Sequence, residues 1–134
     1  MKYLLFIVVV FIGCNSQEKS ESVTGENKER LDLYNETINI HNEVMPEMDR
    51  IMMERDQLLQ SIQNDTITSD SITMVQNKLK VSKLEEAHEA MFSWMRKYGK
   101  MPHDSLGHDE IMRILNESKQ AITDVKNKVN EVLK

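Results

Sequence analysis

Histidine and methionine recur together at two places in this sequence: His41, Met45 and Met48, then His88, Met91 and Met95. Residues three and four apart share one face of a helix, so each set presents an imidazole and two thioethers on one side. Such soft ligands suit Cu(I), whereas carboxylates and water suit harder cations. If the two helices pair antiparallel about a turn centred near residue 66, Met45 falls beside Ala87 and His88, and His41 falls level with Met91 and Phe92. A second reading competes. Methionine is a flexible apolar gap-filler, and these positions lie on or beside stripes expected to be buried. Core packing is the leading account of both clusters, and an envelope copper or other soft-metal site is the alternative.

The remaining constellations carry less. Glu85-Glu86-Ala87-His88 has the Glu-x-x-His spacing of a carboxylate-bridged di-iron helix, but such bundles need the motif twice with further glutamates. No second copy occurs, and Glu85, Glu86 and Glu89 read as a solvated face. His103 and His108 flank a loop with Asp104 and Asp109, a conceivable surface metal site; a helix-capping role accounts for the acids without it. The single thiol, Cys14, and four histidines set apart in sequence give no nucleophile–base arrangement. No catalytic residue is therefore expected.

These side chains need helices to hold them. Leu31, Tyr34, Ile38, His41, Met45, Met48, Met52, Arg55, Leu59 and Ile62 alternate steps of three and four, with Val44, Ile51 and Leu58 widening the stripe. This predicts a long amphipathic helix over about 28–63. Pro46 lies inside it and should kink it, since the ring removes a donor and clashes with the preceding turn. Asn64 to Asp70 reads as a turn. A second helix over about 70–98, capped by Ser69 or Asp70, carries a looser stripe of Ile72, Val75, Leu79, Leu84, Ala87, Met91, Trp94 and Tyr98. Gly99 fits the left-handed residue that ends helices. After a loop containing Pro102 and Gly107, Ile111, Leu115, Ser118, Ile122, Val125, Val129 and Val132 mark a third helix over about 109–133. The expected fold is all-α, an antiparallel three-helix bundle, long and narrow like a coiled coil.

Ahead of the helices stands a different kind of segment. Lys2 precedes an unbroken apolar run from Tyr3 to Ile12, closed by Gly13. That is the layout of a secretory signal. The run rises roughly 15 Å as a helix, half of a bilayer core, so it targets without spanning. Phe11-Ile12-Gly13-Cys14 resembles the bacterial lipobox, although Phe11 and Ile12 depart from its commonest form. The resemblance implies cleavage after Gly13 and lipidation of Cys14, a palmitate-bearing membrane anchor that explains the only cysteine. Asn15 to Asn27 is polar, with Val23 its one aliphatic residue, and reads as a disordered tether over 14–27. Asn15 lacks the aspartate of the best-known inner-membrane retention rule, which favours the outer membrane over the inner and leaves open whether the body faces the periplasm or the exterior.

Without residues 1–13 the 17 basic side chains become 16, against 22 acidic ones, a balance of −6 with His neutral. An acidic chain with no basic cluster argues against nucleic acid and against adhesion to anionic lipid. Asp65-Thr66-Ile67, Asp70-Ser71-Ile72 and Asp104-Ser105-Leu106 each resemble the Asp-hydroxyl-aliphatic signal for O-glycosylation in Bacteroidota, which marks Thr66, Ser71 and Ser105; ordinary turn chemistry also accounts for them. Asn35, Asn64 and Asn116 match the N-glycan acceptor, chance matches in a chain with a bacterial lipobox.

His41-Asn42-Glu43-Val44-Met45-Pro46-Glu47-Met48, followed by Met91-Phe92-Ser93-Trp94-Met95, resembles a family of uncharacterised small helical lipoproteins from flavobacteria and related Bacteroidota. Some carry the label "viral A-type inclusion protein". The resemblance implies an envelope lipoprotein and brings no activity. The expectation is a lipid-anchored, noncatalytic protein-binding or spacer module, with Met53, Met74, Phe92 and Met112 as candidate partner-facing residues, and soft-metal binding as the alternative.

Overall fold

The computed structural model describes residues 17–64 and 71–134, with side-chain surroundings from Thr24 onward. The signal segment 1–13, Cys14, Thr66 and the turn with its proposed caps Ser69 and Asp70 lie outside the described residues.

The described chain is all helix and connection: α1 (Gln17–Val44), α2 (Glu47–Asn64), α3 (Ser71–Tyr98) and α4 (His108–Val132). α1 and α2 are the two arms of one bent helix, so the fold is a three-helix bundle. Pro46 makes the bend as expected. Its nitrogen carries no hydrogen to donate, and the turns close around it through Met45 N–H to the His41 carbonyl at 2.8 Å and Met48 N–H to the Met45 carbonyl at 3.1 Å. The second of these is a tighter i to i−3 bond, which lets α2 set off in a new direction.

The bend lets one helix serve two neighbours. α1 packs on α4, α2 packs on α3, and α3 packs on α4. α3 runs antiparallel to both of the others, which leaves α1 and α4 parallel. Ion pairs on the surface report that register. Lys119 Nζ lies 2.7 Å from Glu36 and Lys126 Nζ 2.7 Å from Glu43. Lys126 to Glu43 and Arg50 to the Leu133 carbonyl share an offset of 83 residues. One heptad separates the two lysines, and the same step separates their glutamates. Exposed pairs of this kind are each worth about 0–1 kcal/mol and contribute alignment more than stability. Along α4 itself, Arg113 reaches both Glu110, at 2.7 Å, and Glu117. Its hydrogen bond holds the Glu110 carboxyl below the ordinary carboxylate range.

The helices are staggered, and the stagger decides where the core can be. His108, at the start of α4, stands beside Glu26 and Glu29 of α1. At the other end, Lys83 of α3 meets Glu131 of α4. The turns of α3 before Leu79 therefore run past the last turn of α4, and the start of α1 runs past the end of α3. All three helices overlap only in the middle. The core cluster of Val44, Met48, Ile51, Leu84, Ala87, Met91, Trp94, Ile122, Val125, Val129 and Val132 lies there.

Several expectations change against this architecture. α1 begins at Gln17, well before residue 28, so the polar segment expected to be a tether is helical from Gln17 onward. Glu, Lys, Gln and Ser are compatible with a helix that a packed segment further along has already nucleated. The buried line of the bent helix runs through Thr37, Val44, Met48 and Ile51, while Leu31 is 53% exposed. The stripe is thus centred on the residues expected only to widen it, because this helix faces α4 and α3 at once. In α3 the buried residues are Val81, Leu84, Ala87, Met91 and Trp94. Ile72, Val75 and Leu79 are 63%, 65% and 58% exposed; α4 ends beside Leu79, with which Val132 shares a hollow.

Two terminal residues also act differently. Gly99 is not left-handed, as no described residue has positive φ. Its N–H still bonds the Met95 carbonyl at 3.0 Å, and an added Cβ would stand 2.5 Å from that oxygen. Glycine is required there by close backbone approach. Neither Asp104 nor Asp109 caps α4, whose N-cap is Gly107 without a side-chain bond; Asp109 sits in the first turn with Glu110, where their charge favours the helix dipole. Only the α4 stripe is buried at every expected position, from Ile111 to Val132.

Ile51→Ala and Leu84→Ala remove side chains that are 0% exposed within the triple overlap. Each should cost about 2–5 kcal/mol in urea unfolding. Leu31→Ala should stay within about 0.5 kcal/mol. Similar losses for all three would contradict a core confined to the overlap.

Candidate functional site

One polar node crosses the apolar core, and each long helix supplies part of it. Trp94 of α3 is 4% exposed, and its indole N–H donates to the Ser118 carbonyl of α4 at 2.9 Å. A buried indole N–H left without an acceptor would be costly. Here the acceptor is a backbone oxygen on another helix. The His41 ring from α1 stacks on Trp94 with centroids 5.3 Å apart and 24° between planes. Thr37, one turn before His41 and 1% exposed, donates its hydroxyl to the Leu33 carbonyl at 2.8 Å within its own helix.

His41 is only half satisfied. Its Nδ1 lies 3.0 Å from Asn42 Oδ1. In the tautomer that donates from Nδ1 to this oxygen, Nε2 is left as a bare lone pair. That Nε2 is buried and has no hydrogen-bond partner among the described residues. Buried polar atoms are nearly always paired, and an exception in a core calls for a reason.

The two His/Met clusters come together differently from the sequence count. The stack of His41 on Trp94 and the ion pair of Glu54 with Lys80 set the α1/α2–α3 register. His41 is therefore level with Trp94 instead of Met91 and Phe92, and Met45 lies beyond Ala87 and His88, near Ala90 and Met91. Pro46 bends one of the two partners, which a count along straight helices does not include. Met48 and Met91 are core residues, and Met45 and Met95 pack against the same cluster. His88 instead tilts over Phe92 of its own helix, centroids 4.5 Å apart. At 1.5 Å per residue, His88 lies roughly 9 Å along α3 from the His41 level. The six side chains do not form one set: Met45, Met48, Met91 and Met95 belong to or pack against the core cluster that contains Trp94, His41 stacks on Trp94, and His88 tilts over Phe92 of its own helix.

The other candidates separate as well. His103 Nδ1 accepts from the Ser105 N–H at 3.1 Å and lies 2.9 Å from the Ser105 hydroxyl. His108 Nδ1 accepts from Arg30 Nε at 3.1 Å, with Glu26 and Glu29 nearby. These two imidazoles thus serve a loop and the α1–α4 contact respectively. Among the described residues no group of three His, Cys, Asp or Glu side chains stands close enough to hold a metal ion. Glu85, Glu86 and Glu89 are exposed; Ser82 donates to Glu86 at 3.5 Å, and Arg96 pairs with Glu89. Ser71 and Ser105 are exposed at a helix start and in the α3–α4 loop, accessible to a modifying enzyme.

Of the suggested partner-facing residues, Met53 is 60% exposed, whereas Met74, Phe92 and Met112 are partly covered. The larger exposed apolar feature is the early part of α3. Leu79 lines a hollow with Gln76, Lys83, Val132 and Lys134 at the end of α4, and Val75 lies one turn further out. A signal for it existed in the sequence. The step of five from Leu79 to Leu84 breaks the three–four alternation, which marks a stripe passing from one face of α3 to another.

Trp94→Phe keeps an aromatic ring and deletes the donor to Ser118. It should lower unfolding stability by about 1–3 kcal/mol through the stranded carbonyl and lost volume, read by urea denaturation followed by circular dichroism. An unchanged midpoint would show that this bond does not hold α3 to α4.

Compared with known proteins, the chain has no match: no family model, no curated protein and no solved structure is similar to it.

Proposed function

We propose that this chain is a lipid-anchored cell-envelope protein whose helical body is a noncatalytic module for binding or spacing another envelope component. The anchor half of the reading rests on sequence. An apolar run too short to span, a small residue and the only cysteine stand in that order at Tyr3–Cys14. No described helix is long and apolar enough to cross a membrane, so attachment in this reading belongs to the acylated Cys14.

The binding half is carried by one observation: α3 extends past α4 with Val75 and Leu79 turned outward. Large apolar side chains repeated along one exposed helical face are a feature of protein contact surfaces. Their charged surroundings point the same way. From Ser71 to Leu84, α3 contains Lys78, Lys80 and Lys83 and no acidic residue, in a chain that is acidic overall. The last turn of α4 already uses this surface, with Val132 at the hollow and Glu131 on Lys83 at 3.5 Å. A partner helix carrying apolar residues beside acids would extend the same contact.

In cells given a labelled palmitate analogue, the wild-type chain should incorporate label and sediment with membranes, and Cys14→Ala should do neither. Membrane sedimentation of Cys14→Ala at the wild-type level would remove the lipid anchor from this reading. Crosslinking in intact cells should recover a reproducible protein adduct through α3 that Leu79→Asp reduces at least severalfold. A pattern identical in wild type and Leu79→Asp would rule out this surface.

A further inference from the structure

The unpaired nitrogen of His41 has a chemistry suited to its surroundings. We propose that His41 Nε2, with the thioethers of Met45 and Met95, forms a binding site for a soft monovalent cation, Cu(I) or Ag(I), beside the Trp94 ring. This site lies in the body of the bundle, apart from the lipid anchor and from the α3 surface.

The first support is the unpaired ring nitrogen. His41 Nε2 is buried and lacks a hydrogen-bond partner among the described residues, while Nδ1 lies 3.0 Å from Asn42 Oδ1, an oxygen to which it donates in the tautomer that leaves the lone pair on Nε2. A histidine that binds a metal through one nitrogen commonly donates from the other to an oxygen, which fixes tautomer and ring orientation. The Asn42 oxygen stands within reach of His41 Nδ1 for that arrangement. Desolvating a bare imidazole lone pair carries a cost that a bound cation would offset.

The second support is placement. The helical bond from Met45 N–H to the His41 carbonyl keeps a full turn between them, so their side chains leave the same face of α1. Met95 follows Trp94, and Trp94 is the residue on which His41 stacks. Both thioethers pack against the core cluster that contains Trp94. His41, Met45 and Met95 are each only partly buried, unlike Met91 at 0% exposure. Imidazole and thioether donors without a carboxylate select soft monovalent ions over Mg(II) or Ca(II). The indole face adds an attraction for a cation held next to it.

This set differs from the one suggested by sequence spacing, because it leaves out His88. That difference makes it testable with the protein's own reporter, since Trp94 is the only tryptophan. The detergent-solubilised full chain is titrated with Ag(I) in chloride-free buffer, and with Cu(I) under anaerobic conditions, while indole fluorescence is recorded. One equivalent should quench most of the Trp94 emission. His41→Gln should weaken binding at least a hundredfold, the packing-preserving Met45→Leu and Met95→Leu at least tenfold each, and His88→Ala less than twofold. Circular dichroism checks that each variant remains helical. Should His41→Gln not fold, the two leucine variants decide the question. Absence of quenching at ten equivalents, binding unchanged in the leucine variants, or binding abolished by His88→Ala would each overturn the proposal.

Discussion

The hydrogen bond from the Trp94 indole to the Ser118 carbonyl, with His41 stacked on the same ring, is the contact on which the rest of the bundle depends. It is a buried polar link between separate helices, and it lies at the level where all three overlap. Apolar packing is non-directional and would tolerate sliding of one heptad against another. A donor aimed at one carbonyl does not. With Trp94 facing Ser118, Leu84 and Met91 share one core cluster with Ile122, Val125, Val129 and Val132 of α4, and His41 of α1 covers the indole. The ion pairs of Lys119 with Glu36 and Lys126 with Glu43 then align α1 and α4 from outside.

That single level of full overlap explains the shape of the molecule. Pro46 divides the first helix so that α1 can follow α4 and α2 can follow α3. The bundle consequently has two-helix ends: α1 with α4 at one, α2 with α3 at the other. Apolar residues in the middle are sealed, while Leu79 at the end of α4 and Val75 beyond it are not. In the proposed reading, the middle holds the structure together and an open end offers a surface. The two tasks fall to different turns of α3.

How far the sequence foretold this depends on how many neighbours a helix has. α4 faces the bundle with one stripe, and its periodicity from Ile111 to Val132 was legible residue by residue. The bent helix meets α4 with one arm and α3 with the other, so a single average stripe misplaced its centre by about one residue and left Leu31 inside. Pro46 was legible because the absence of an N–H is a covalent fact. Gly99 was legible as a helix end, but its reason is the nearby Met95 oxygen and not a left-handed backbone. The composition of a polar segment does not show by itself whether it continues a helix stabilised further along. Among the site candidates, the spacing placed His41 and Met45 on one helical face. It could not supply the interhelical register, and without register His41 and His88 looked like neighbours. The Trp94–Ser118 bond was invisible for a related reason: its acceptor is a backbone oxygen, which no residue type announces.

Native-state hydrogen exchange tests most directly whether the fold is held at one level of triple overlap and opens from its ends. The slowest amides should be those flanking Thr37–Ile51, Val81–Trp94 and Leu115–Val129, exchanging only by global unfolding. Amides of α2 after Leu58 and of α3 before Leu79 should exchange many times faster, although both stretches are α-helical. Uniformly high protection across α2 and α3, or slowest exchange at the two-helix ends, would contradict the account.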